Sequence, residues 1–362
     1  MINNFSEFSN NFDFNSFFIA VLTAMAASIL GVFLILKRMS MVIDAISHSV
    51  LLGIVLTFLI VRDLNSPYLI IGATLIGVFT SYLSDILSQH SKVNEDAAIG
   101  ITFAFLFALA VFIITVYIRN AHLDIDAVFT GSLEFINSSK IKIILPFFLL
   151  NLFFFLVFYK ELKLSLFDKN LAISLGFYPT LINYILITLV SSTSVAAFEI
   201  SGSILMISFF IAPAATALLI TKNLFSSVLL SMFFSFLGVF VGYSAGIWLN
   251  MTLSGAISSA MLLIFLLVFI FETKNGAITK LIQKNKQKKY FGMINLLIHI
   301  RNHEKKENIV QTQQSLKWSS SFYQKCLKKS FQEGYVQLEG EELHLTHKGE
   351  ELLIQQQEKL GI

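Results

Sequence analysis

Apolar residues fall into nine stretches, each close to the roughly twenty residues that a helix needs to cross a hydrocarbon core. They run approximately over 17–36, 41–61, 68–87, 97–117, 141–159, 180–198, 202–221, 226–248 and 253–271. Short polar or basic segments separate them, except that 195–220 is almost continuously apolar, so a division into eight spans also fits. After Phe271 the pattern changes. Shorter amphipathic periods predict helices over 291–304, 309–318 and 319–336, two β-like pieces near 336–340 and 342–347, and a closing helix over 348–360. The expected fold is therefore an all-α polytopic membrane domain, 1–271, a basic juxtamembrane linker, 272–289, and a small α+β domain, 290–362.

Composition sharpens this division. Of 362 residues 55% are hydrophobic and 14% charged, and the mean hydropathy of +0.73 exceeds what a water-soluble chain of this size carries. Charged residues are sparse up to Phe271 and crowd beyond it. The single cysteine, Cys326, excludes an intramolecular disulfide and a thiolate-rich metal cluster, and its spacing from Phe322 suits a small core residue. The N-terminus holds Glu7 and Asp13 without Lys or Arg, so it lacks the basic opening of a secretory signal and the first apolar stretch is expected to remain.

Basic residues accumulate in cytoplasmic loops. With the N-terminus outside, the inner loops hold Lys37, Arg38, Lys92, Lys160, Lys163, Lys169 and Lys222, against Arg62, Arg119, Lys140 and Lys142 outside. Nine spans then deliver Lys274, Lys280, Lys284, Lys286, Lys288 and Lys289 to the cytoplasm, in keeping with a multi-pass plasma-membrane protein.

No phosphate-binding G-x-x-x-x-G-K-[ST] motif occurs, and no nucleophile, base and orienting residue group together. The chain reads as a non-enzyme without a permanently bound cofactor. The second stretch, MVIDAISHSVLLGIVLTFLIV, is unusual in carrying Asp44 and His48 at i, i+4 on one helical face. Ionisable groups inside a membrane face a pathway or a partner, and a carboxylate with an imidazole suits a divalent transition ion. A structural hydrogen bond between helices is the equal alternative on spacing alone. Glu199 reads as a second ion contact or an interfacial carboxylate, and Asp126 as a cation attractor at the outer mouth or part of a solvated loop. Pro213, among small residues, is expected to mark a kink.

LKRMSMVIDAISHSVLLGIVLTFL from Leu36 resembles the signature of the ABC-3 family of metal-transporting permeases. NEDAAIGITFAFLFAL from Asn94, LDIDAVFTGSL from Leu123 and SGSILMISFFIAPAATALLIT from Ser201 match further family motifs in order. The resemblance implies a permease subunit for manganese, iron or zinc import, with Asp44 and His48 contacting the passing ion. It implies as partners a cytoplasmic ATPase dimer, a second permease copy or paralogue and an extracytoplasmic metal-binding protein. FDKNLAISLGFYPTLINY from Phe167 resembles the family's coupling segment, with Asp168 placed to cap a short helix, Ala172 allowing close approach and Gly176 ending it. A secondary cation transporter or channel is the alternative, with a membrane-anchored metal-responsive regulator third.

The tail, closing in LHLTHKGEELL, resembles the winged-helix domain of DtxR/MntR-type repressors. That likeness implies a reader helix near 319–333 with Phe322, Cys326 and Phe331 inward and Tyr323, Gln324, Lys325, Lys328 and Lys329 outward. From Tyr290 to Ile362, however, nine Lys/Arg balance nine Asp/Glu. A neutral domain argues against nucleic acid as a partner and for a regulatory or protein-interaction role.

Overall fold

The computed structural model describes residues 12–63, 66, 68–90, 92–117, 133, 136, 138–273, 276–302, 309–339 and 342–360. The chain divides into two compact units, Met1–Glu272 and Thr273–Ile362.

The first unit is a helical bundle: α1 (Phe14–Leu36), α2 (Met41–Val61), α3 (Tyr68–His90), α4 (Glu95–Tyr117), α5 (Ile141–Val157), the short α6 (Tyr159–Phe167) and α7 (Lys169–Ser174), then α8 (Pro179–Ile220), α9 (Leu224–Leu249) and α10 (Leu253–Phe271). Eight of these are long and apolar enough to span a membrane. α1 is the most enclosed, with Ile19, Ile29, Leu30 and Phe33 at 0% exposure. Its small residues allow this. At Gly31 an added Cβ would lie 2.9 Å from the Phe210 carbonyl carbon and 3.3 Å from Ala214 Cβ, so only glycine permits α8 to approach so closely.

At 42 residues α8 would be about 63 Å long if straight, twice the thickness of a bilayer core. It is not straight, because Gly202 has φ 75° and ψ 175° and breaks the helix there. Contacts at the bundle's two ends show that the chain turns back at this point. At one end Lys37 meets Asn183 from the start of α8, while the Phe155 ring is tilted against Phe33 and stacked on Phe225, which follows the end of α8. At the other end Lys140 pairs with Glu199, and the Tyr243 hydroxyl donates to the Asp13 carbonyl at 3.0 Å. Both ends of α8 therefore lie at the Lys37 end, and the described chain crosses the bundle nine times. The break falls at Gly202, while Pro213 keeps helical dihedrals.

Polar side chains tie the helices together by direct hydrogen bonds. Asn151 donates to the Ala26 carbonyl and the Thr193 hydroxyl at 3.1 and 2.9 Å. Ser231 reaches the Ser28 carbonyl, Ser191 the Thr74 carbonyl, and Thr80 the Ser49 hydroxyl. In a bundle surrounded by lipid such bonds replace the hydrophobic drive that water provides elsewhere.

The second unit contains α11 (Ala277–Asn302), α12 (Ile309–Ser315), α13 (Ser320–Gln332), the antiparallel strands β1 (Val336–Glu339) and β2 (Glu342–Leu345), and α14 (His347–Leu360). Its core joins Leu296 and Leu297 of α11 to Cys326 of α13, Val336, Leu343 and Leu353. The basic stretch expected to act as a linker is instead the first half of α11, continuous with the core-forming second half. On α13 the expected facing also changes. Tyr323 is buried at 1% exposure whereas Phe331 is exposed at 37%, so Tyr323 cannot read an outside surface. Gln324, Lys325 and Lys328 do face outward, and Lys329 is half-buried over the Tyr290 ring.

Candidate functional site

α1 ends in a closed turn at the Lys37 end. Arg38 adopts a left-handed φ of 61°, and the amides of Arg38 and Met39 return to the carbonyls of Ile35 and Leu34. This reversal starts α2 within a few residues. Asp44 then falls in the first turn of α2, where the helix N-terminus favours a carboxylate. His48 lies one turn further along, its Nε2 3.5 Å from Asp44 Oδ1. That separation exceeds a good hydrogen bond and leaves room for a cation to draw on both groups.

The flanking Ile43, Ala45, Ile46 and Ser47 are buried, while the side chains of Asp44 and His48 remain 39% and 31% exposed. Two aromatic rings of α4 border the imidazole. Phe103 stacks on it at 5.4 Å and Phe107 meets it edge-on at 5.8 Å. An apolar wall thus borders the imidazole on the α4 side. Among the described residues no group of three or more His, Cys, Asp or Glu comes together. The described residues therefore bring two candidate side-chain ligands together here.

The other expected acidic residues are not brought to this pair. Glu199 sits at the opposite end of the bundle, engaged by the Lys140 ammonium, and Asp126 lies outside the described residues.

The segment from Phe167 folds as its residues suggest. The Asp168 carboxylate caps α7 by accepting from the amides of Asn170 and Leu171 at 2.9 and 3.0 Å. Ala172 is fully buried. Gly176, at φ 84°, closes the helix, with its amide on the Ile173 carbonyl and the Phe177 amide on that of Ala172. The surface around this turn is unexpectedly apolar, since Leu171, Ile173, Leu175 and Tyr178 are all exposed. A recess of about 590 Å³ opens beside them between Ile173 and Tyr184. Leu171, Ile173 and Leu175 alternate with a strand-like period of two on a helical turn, so a helical hydropathy pattern does not reveal this patch.

Comparison with known proteins covers the first unit. The model of the ABC 3 transport family matches residues 9–272 and stops where the second unit begins. The chain is similar to the manganese transport system membrane protein MntD of Bacillus subtilis, at 36% identity over 75% of this chain and 96% of that one. It is also similar to the zinc transport system membrane protein TroD of Treponema pallidum, at 41% identity over 54% of this chain and 56% of that one. Among solved structures, PsaBC from Streptococcus pneumoniae in complex with Fab superposes with a TM-score of 0.67 at 28% identity, covering 79% of this chain and 100% of that chain.

Proposed function

Because this chain belongs to the ABC 3 transport family, we propose that it is the membrane-spanning permease of an ATP-driven importer whose cargo is a divalent transition metal ion. Relatives named for manganese and zinc transport support that cargo. The observation that carries the reading is the Asp44–His48 pair, adjacent and half-exposed on an otherwise apolar span. A carboxylate and a neutral imidazole bind manganese, iron or zinc without the tenacity of thiolates. Since the described residues bring two such ligands together, a second permease copy or paralogue related by a two-fold axis completes a four-ligand site.

The α7 turn is the ATPase-coupling element in this account. Asp168 and Gly176 hold its two ends, buried Ala172 seats it, and the exposed Leu171, Ile173 and Leu175 offer an apolar knob to a cytoplasmic ATPase dimer. The Lys37 end of the bundle then faces the cytoplasm, and the N-terminus and the Lys140–Glu199 pair face outside, toward an extracytoplasmic metal-binding protein. Lys37, Lys160, Lys163 and Lys169 on the inner side agree with that orientation. The second unit becomes a cytoplasmic winged-helix-like appendage that modulates transport.

The test is reconstitution. The permease should copurify with its ATPase, and proteoliposomes containing both should take up manganese, iron or zinc only when ATP is supplied. Uptake of equal rate by the permease alone, driven by an ion gradient, would favour a secondary transporter.

A further inference from the structure

The first half of α11 combines three features that the core of the second unit does not use. From Ala277 to Asn302 the helix contains Lys280, Lys284, Lys286, Lys288, Lys289 and Arg301 and no Asp or Glu. Ile278, Leu281 and Ile282 are 43%, 63% and 50% exposed, and their i, i+3, i+4 spacing places them on one face. By helical geometry Lys288 and Lys286 flank that face on its two sides, Lys284 lies further round beyond Lys288, and Lys289, seven residues after Ile282, falls on the face itself. Burial begins only at Gly292, Met293 and Ile294, so the first three turns stand clear of the unit's own core.

The balance of nine Lys/Arg and nine Asp/Glu over 290–362 hides a segregation that adds to this surface. Lys288 Nζ lies 5.3 Å from the Phe322 ring and Lys329 Nζ 5.7 Å from the Tyr290 ring, which draws the lysines of α13 beside those of α11. α13 carries no carboxylate within Ser320–Gln332, Glu333 being its C-cap, and Glu342, Glu350 and Glu351 lie on the hairpin and α14.

We propose that the first half of α11 is an interfacial helix that docks on the anionic lipid surface surrounding the last membrane span. Chain length puts it within reach. The segment 272–276 joins Phe271 of α10 to Ala277, and five extended residues cover at most about 18 Å. A lysine-flanked apolar stripe matches what a headgroup boundary accepts, with the apolar residues at the acyl edge and the ammonium groups among phosphates. Nucleic acid would use the lysines but would leave Ile278, Leu281 and Ile282 without a role. The proposal needs α10 to span the membrane and is independent of which ion is transported.

The experiment uses the full chain in lipid nanodiscs with a nitroxide at Leu281→Cys or, on the opposite face, at Gln287→Cys, and wild-type protein as the labelling background. With phosphatidylglycerol present, the 281 label should become severalfold more accessible to oxygen than to a water-soluble nickel chelate, and the 287 label should behave oppositely. High salt, pure phosphatidylcholine, or combined Lys→Gln changes at 284, 286, 288 and 289 should erase that asymmetry, since each lysine is worth about fivefold in partitioning to an anionic surface. Lys→Arg changes at the same positions should preserve it. Equal water exposure of both labels in anionic discs would overturn the proposal. Protection of the 281 label by duplex DNA and not by anionic lipid would overturn it in favour of nucleic acid.

Discussion

Lys37, just past the end of α1, donates a hydrogen bond of 2.6 Å to Asn183 Oδ1 in the first turns of α8. Burial, with added repulsion from Lys169 of α7, lowers its ammonium from the ordinary 10.5 to about 8. The charged form therefore carries a folding cost below about pH 8. Between about 8 and 10.5 the unfolded chain holds more protons than the folded one, so this group makes stability rise with pH in that window. Thermal unfolding of the purified protein should shift upward by a few degrees from pH 8 to pH 10, and Lys37→Met should remove that increment. An identical pH dependence in the variant would show that Lys37 does not titrate there.

The α7 turn gives a second prediction. The Gly176 amide is bonded and its φ is positive, and proline supplies neither feature. Gly176→Pro should insert normally into the membrane but lose ATPase copurification and uptake. Gly176→Ala meets no steric obstacle and pays only the left-handed backbone cost of about 1 kcal/mol, so it should retain partial association.

A third prediction concerns the second unit. Cys326 is fully buried, and burial raises its thiol above the ordinary value, so a maleimide should label it slowly in the native protein and rapidly after denaturation. At Gly292 an added Cβ would come within 2.7 Å of Phe322 Cζ and 2.9 Å of Cys326 Sγ. Overpacking of this kind costs about 1–3 kcal/mol, and Gly292→Ala should therefore speed native labelling of Cys326 about tenfold or more. Unchanged labelling would mean that this part of the core yields without cost.

The spans were legible because lipid imposes a long apolar run and a length, and both survive in a linear pattern. The turn within α8 was harder to read, since 195–220 is apolar on both sides of Gly202; the nine-stretch division places it between 198 and 202, and the backbone at Gly202 breaks there. The caps of α7 could be read from Asp168 and Gly176, which act on their immediate neighbours. The apolar patch beside them depends on which residues the fold leaves uncovered. On α13, adjacent aromatics defeated the reading: Phe322 and Tyr323 differ by about 100° around the helix, and packing against α11 turned Tyr323 inward. Composition likewise could not tell a basic linker from the start of α11. The Asp44–His48 pair was visible by spacing, but the Phe103 and Phe107 wall beside it comes from α4, more than fifty residues further along the chain.

The most direct measurement is metal uptake by reconstituted complexes carrying Asp44→Asn or His48→Ala, with the amount of assembled permease and ATPase determined in the same preparations. The account predicts that each variant assembles as the wild type does and loses at least tenfold in ATP-dependent uptake. Wild-type uptake in both variants would contradict it, and a loss of assembled complex with normal uptake per complex would assign the pair a structural role instead.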